Sequence, residues 1–159
     1  MAPTLKKSLK GLKKQTNNLF EAQHWTQLSE SDLVEWKAIA PNFTPQELAS
    51  KGDGSIKIEK EALRLLQMMR DRLNRPIIVN SAYRDLVYND KVRGKKTSQH
   101  LNGKAFDLHI RSQAEGKRFE ELAAEIGFTA IGRYKTFIHI DNRPPKVNGG
   151  GYRWGTWDL

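Results

Sequence analysis

The chain has 159 residues, a length that suits one domain with its own apolar core. Hydrophobic residues make up 38% and charged residues 28%, and no stretch approaches the roughly 18 apolar residues of a membrane-spanning helix, which excludes such a span. There is no cysteine, so disulfide frameworks, zinc fingers and thiol nucleophiles are excluded, and any metal must be held by His, Asp or Glu.

The net charge of +9 is unevenly spread. Lys6, Lys7, Lys10, Lys13 and Lys14 give the first twenty residues +5 with no acid, leaving +4 for the rest. The polar run Gln15-Thr16-Asn17-Asn18 follows, where a signal peptide would place an apolar segment, so no secretory signal is expected. Leu5, Leu9 and Leu12 recur at helical spacing, which fits a short basic helix drawn to an anionic envelope surface. Gly11 and the short length fit a solvated, flexible leader instead. The expected organisation is a leader over 1–20 and a single domain over 21–159.

Ser31-Asp32 opens a short helical pattern through Leu33, Val34, Trp36 and Ile39, stopped before Pro41. Thr44-Pro45-Gln46-Glu47 reads as a capping box with proline in the first turn, and that helix ends by Gly52. Residues 59–73 carry Ala62, Leu66, Met69 and Leu73 on one helical face. Asn74-Arg75-Pro76 ends that helix, and Ile77-Ile78-Val79 reads as a buried strand. Residues 83–104 read as a polar, basic loop. Ala105–Ile110 and Phe137–Asp141 alternate as strands, and Ser112 with Glu115 predicts a second capping box for a helix closed by Gly127. The tail is glycine-rich and aromatic, with Tyr152, Trp154 and Trp157. The order of elements predicts an α+β fold: a small antiparallel sheet flanked by helices.

Strand geometry sends Phe106, Leu108 and Ile110 to one face of the first alternating strand, and Asp107 and His109 to the other. In the second, Ile138 and Ile140 face the core, while Phe137, His139 and Asp141 face away. Neighbouring strands would gather Asp107, His109, His139 and Asp141 on one face, with His100 in the loop above it. Two histidines and a carboxylate are the ligand types of a catalytic zinc site, which activates water and polarises a carbonyl as amide hydrolysis requires. The alternative from residues alone is the solvent face of a half-exposed sheet.

Ser81-Ala82-Tyr83-Arg84, Asn89, Ser98-x-His100-x-x-Gly103-x-Ala105-x-Asp107 and Phe137-Ile138-His139-Ile140-Asp141-x-Arg143 occur here in order. This set resembles the zinc D-alanyl-D-alanine peptidase family. Relatives in that family include vancomycin-resistance D,D-dipeptidases and phage endolysins, and it shares its fold with the hedgehog signalling domain. The resemblance implies that fold, one zinc ion, and His100, Asp107 and His139 as its ligands. It implies Arg84 as the guanidinium that binds the substrate's carbonyl or carboxylate and stabilises developing negative charge. It places Ser98 beside a ligand and Tyr83, Ser98 and His109 among candidate substrate-side residues. His109 has three readings: substrate contact, ligand orientation or strand decoration. Trp154 either walls the substrate groove or packs the chain end.

Many family members carry an acid three residues before the last zinc histidine; here that position is Thr136. Asp141 is the nearest replacement as general base, against a structural role such as pairing with Arg143. The loop Val92–Lys96 also departs from the small residues usual in relatives. The resulting expectation is a monomeric zinc metallopeptidase cutting peptidoglycan stem or cross-link peptides. It would be a phage-type lysis enzyme made in the cytoplasm that acts at the cell wall, or a virion component. The alternatives are a catalytically impaired, zinc-holding cell-wall binding module and a nucleic-acid binder. The concentration of charge in the leader, and the lack of any helix-turn-helix or ribonucleoprotein pattern, argue against nucleic acid.

Overall fold

A computed structural model describes residues 19–159; the leader lysines Lys6 to Lys14 lie outside the described residues. Strand β1 (Leu19–His24) pairs antiparallel with β2 (Ser55–Glu59), with Phe20 opposite Ile58 and Gln23 opposite Ile56. Leu19 and Phe20, assigned to the leader by sequence, therefore belong to the folded domain, and Phe20 is buried against Trp36 at 5.1 Å between ring centres. In β2 only Ile56 and Ile58 are fully buried, a short alternation that the sequence reading passed over.

Helix α1 (Glu30–Ile39) is capped by Ser29, whose Oγ accepts from the Asp32 amide at 3.1 Å, so it starts earlier than Ser31-Asp32 implied. Trp36 is its buried residue, and the Trp36 indole N–H donates to the Phe43 carbonyl at 2.8 Å. Helix α2 (Pro45–Leu48) carries the expected capping box, with the Thr44 and Glu47 side chains and amides bonded reciprocally. Helix α3 (Lys60–Leu73) buries Ala62, Leu63, Leu65, Leu66 and Met69 and ends at Asn74 in a left-handed conformation.

The main sheet has the order β3-β4-β6-β5-β7, built from β3 (Val79–Ser81), β4 (Ala105–His109), β5 (Ala130–Arg133), β6 (Phe137–Asp141) and β7 (Tyr152–Trp154). It is antiparallel except at one edge, where β7 runs parallel to β5. The strand expected at 77–79 starts two residues later and is not a buried strand. As an edge strand it pairs on one side only, and Ile78 is 62% exposed. The stretch read as a loop over 83–104 contains a short helix, α4 (Leu86–Lys91), capped by Asp85, and a 3₁₀ turn at Gln99–Asn102.

Helix α5 (Gln113–Ile126) is capped by Ser112, but the Glu115 carboxylate accepts from the Arg111 amide and guanidinium rather than closing the box on Ser112. Phe106, Leu108, Ile131, Ile138 and Ile140 line one face of the sheet and join Phe119 and Ala123 of α5 and the apolar face of α3 in the core. The opposite face is left for polar groups.

Candidate metal centre

The register of the sheet places Ser81, Asp107, His139, Gly132 and Trp154 in one row across all five strands. Side chains opposite one another point to the same face. Asp107 and His139 are therefore neighbours because Phe106, Leu108, Ile138 and Ile140 are core residues: alternation leaves the polar pair no other side. The next row holds Ala105, Asp141, Ala130 and Tyr152, where two alanines leave room around Asp141.

His100 reaches this face from the 3₁₀ turn. The Ser98 hydroxyl accepts from the His100 amide at 3.2 Å and starts the turn. Gly103 ends it at φ +67°, where a Cβ would lie 2.2 Å from the Lys57 carbonyl oxygen of β2. Only glycine fits both the dihedral and the approach. Gly103→Ala is therefore expected to lower stability by about 2 kcal/mol or more in denaturant unfolding.

Ligand atoms of His100, Asp107 and His139 all lie within 4.8 Å of one another, and the three residues are buried. The His100 Nδ1–H donates to the Ala82 carbonyl at 2.6 Å. A carbonyl can only accept, so Nδ1 carries the proton and the neutral ring, the form that binds a metal, presents a lone pair at Nε2. That atom is buried with no hydrogen-bond partner, yet lies 3.2 Å from Asp107 Oδ1. In that form the lone pair faces a carboxylate oxygen, an arrangement that a cation held between them satisfies. His139 Nδ1 also meets Asp107 Oδ1, at 2.9 Å, while its Nε2 meets Asp141 Oδ2 at 2.7 Å. An imidazole fixed on its far side by a carboxylate is the usual setting of a metal-binding histidine. The residues present fit one zinc ion by donor type, burial and this orphaned nitrogen.

The electrostatics agree. Burial pushes the Asp107 carboxyl up, but the two imidazoles outweigh it and hold it well below the ordinary carboxylate range. Burial likewise opposes a charged His139, and Asp107 and Asp141 outweigh it, so its pKa is raised. In the metal-free protein that pairing contributes stability fully present below the ordinary imidazole pKa and lost as pH rises through the raised value. A metal must displace the proton, so zinc affinity is expected to fall as pH drops through the same value, by up to about tenfold per pH unit for one proton released. Zinc titrations across a pH series check the slope, and the thermal shift on adding zinc should grow with pH.

Arg84 borders the cluster. Its Nη2 donates to Asp107 Oδ2 and its Nε to Ser81 Oγ, at 3.2 and 3.1 Å, and its backbone amide donates to the His100 carbonyl. Asn89, which is buried, connects it to the departing loop, accepting from Arg84 Nη1 at 3.5 Å and donating to the Lys95 carbonyl. No hydrogen bond joins the Tyr83 side chain to the cluster among the described residues; its ring packs on the core, and burial, with the charges of Asp53 and Asp85, raises its hydroxyl's pKa. His109 lies on the ligand face but at its exposed end, and no hydrogen bond joins it to the cluster among the described residues. Thr136 is exposed in the turn between β5 and β6.

Asp141 meets the other edge of the His139 ring. It is fully buried, on the ring nitrogen of His139 remote from Asp107. Its remaining lone pairs take the Arg143 guanidinium at 2.8 and 2.6 Å and the Arg143 amide at 3.1 Å. Trp154 is at the site, its ring centre 5.2 Å from that of His139. Trp157 instead packs the chain end, over Gly116 with its indole N–H on Glu120.

The family model of peptidase M15 matches residues 41–141, more than half of the chain and a span that contains all three cluster residues. The chain belongs to the M15 peptidase family. Its members are zinc peptidases, the D-alanyl-D-alanine carboxypeptidases among them, and the fold here is compatible with theirs. No curated protein sequence matches the chain. The M15 segment ends at Asp141, so Arg143, Tyr152 and Trp154 reach the centre from outside it. Sequence reasoning had no signal for Gly132, whose missing side chain matters only once Trp154 is seen to cross it.

Proposed function

We propose that this M15 peptidase hydrolyses peptide bonds in peptidoglycan stem or cross-link peptides, with His100, Asp107 and His139 holding one zinc ion. The observation that carries the reading is the buried, unpartnered Nε2 of His100 beside Asp107, in a cluster whose other nitrogens are already fixed. Zinc supplies Lewis acidity toward a carbonyl and activation of water. The protein's own part is orientation and charge. Ala82 and Asp141 fix the two imidazoles, Ser98 fixes the turn that carries His100, and Arg84 places a permanent cation beside Asp107. That cation suits a substrate carbonyl or carboxylate, because a guanidinium can donate to it without losing its proton. Asp141 acts in this reading as a positioning residue.

This reading extends to a role in cell-wall breakdown of the phage-lysis kind, for which the +9 charge favours approach to an anionic wall. A second reading, a zinc-holding module that grips wall peptides without cutting them, draws on one observation. The carboxylates of Asp107 and Asp141 are both engaged by side chains, and Thr136 stands exposed where relatives carry an acid. Mass spectrometry of a defined cross-linked muropeptide after incubation with the protein separates the two. Cleavage that a chelator abolishes supports the peptidase and identifies the bond; retention of intact peptide supports the module.

A further inference from the structure

We propose that Trp154 is a positioning residue for His139, and that strand β7, outside residues 41–141 that the family model matches, thereby sets the affinity of the metal centre. The proposal rests on the reading of His139 as a metal ligand.

Three observations carry it. First, His139, Gly132 and Trp154 are consecutive partners across β6, β5 and β7. A Cβ on Gly132 would lie 2.5–2.6 Å from three indole atoms of Trp154, so the indole lies directly across the glycine and reaches the imidazole beyond it. Second, the indole is itself held. Its Nε1–H donates to the Tyr134 hydroxyl at 3.0 Å, and Tyr134 stacks on Phe137 with planes 7° apart and ring centres 4.2 Å apart. Third, the strand acts by another route. The Arg143 guanidinium lies over the Tyr152 and Trp154 rings at 5.2 and 5.4 Å, and its fork holds Asp141, which in turn holds His139 Nε2.

A metal ligand gains affinity from whatever limits its ring to one orientation, and groups behind the ligands are commonly worth 10–100-fold. Asp141 restrains one edge of the His139 ring, and Trp154 adds a flat apolar neighbour that a hydrogen bond alone does not supply. A role in packing alone would lower the stability of the metal-free protein and leave zinc affinity unchanged, which gives the test its contrast.

The experiment titrates zinc into the chelator-stripped full chain against a competing chromophoric chelator, for wild type, His139→Ala, Trp154→Leu, Trp154→Phe and Tyr134→Phe. Cobalt(II) absorption spectra and metal-free melting curves are recorded alongside. Trp154→Leu is expected to bind zinc about tenfold more weakly and to alter the cobalt bands, with Trp154→Phe recovering most of both. Tyr134→Phe, which loosens the indole at an exposed hydroxyl, is expected to weaken zinc binding about threefold. Wild-type zinc affinity and cobalt bands in folded Trp154→Leu overturn the proposal. Should Trp154→Leu fail to fold, unchanged affinity in Tyr134→Phe overturns it. The underlying reading fails separately: wild type and His139→Ala would then bind zinc alike, whereas loss in His139→Ala alone leaves that reading standing.

Discussion

His139→Ala is expected to remove zinc binding and, with it, peptide hydrolysis by at least about a thousandfold. The estimate takes the metal's contribution to the barrier as several kcal/mol, at 1.36 kcal/mol per factor of ten. The substitution deletes more than a ligand. Asp141, fully buried, would keep only Arg143, and Asp107 would lose its closest imidazole. Metal content after gel filtration and turnover of a muropeptide report the two losses. Retention of one zinc per chain together with activity would remove His139 from the centre. A structural penalty is expected alongside, so the melting temperature of the metal-free variant must be compared with metal-free wild type.

Asp141→Asn separates two roles for one carboxylate. As a proton-transfer group it would be dispensable for zinc and indispensable for turnover. The geometry predicts another result. An amide can still accept from His139 Nε2 but cannot take both arms of the Arg143 fork, leaving that guanidinium partly unpaired against a fully buried group. Zinc affinity is expected to fall about 10–100-fold, as for other groups behind metal ligands, and turnover is expected to recover most of its value once zinc is saturating. Stability should fall by about 3 kcal/mol, toward the lower end for a broken buried pair because Arg143 is 27% exposed and screened. Turnover lost at full zinc occupancy would restore the proton-transfer role.

The strands carrying the centre were legible because both alternate strictly. Phe106-Asp107-Leu108 and Ile138-His139-Ile140 leave the polar residue one possible side once the apolar ones are buried. The capping box at Thr44 was legible for a similar reason: its signal is local and both halves are formed. What stayed hidden depends on partners distant in sequence. β1 forms because Phe20 meets Ile58 across 38 residues, whereas the alternation of Ser55–Glu59 in β2 is a local signal too short to stand out by itself. β7 has three residues after a glycine run and owes its place to β5, so the sequence left Trp154 between walling the groove and packing the chain end, and the partner His139 emerged only in the fold. Asp141 shows the limit most clearly. Alternation put it on the right face, but only the positions of Arg143 and the imidazole nitrogens decide which edge of His139 it serves.

The most direct measurement is stepwise addition of zinc to chelator-stripped protein, with hydrolysis of a defined muropeptide and bound metal followed in the same samples. One buried His-Asp-His centre predicts a single equivalent per chain, with activity rising from baseline and levelling at that equivalent. Full hydrolysis by the stripped protein, or an equivalent of zinc bound with no rise in hydrolysis, would contradict it.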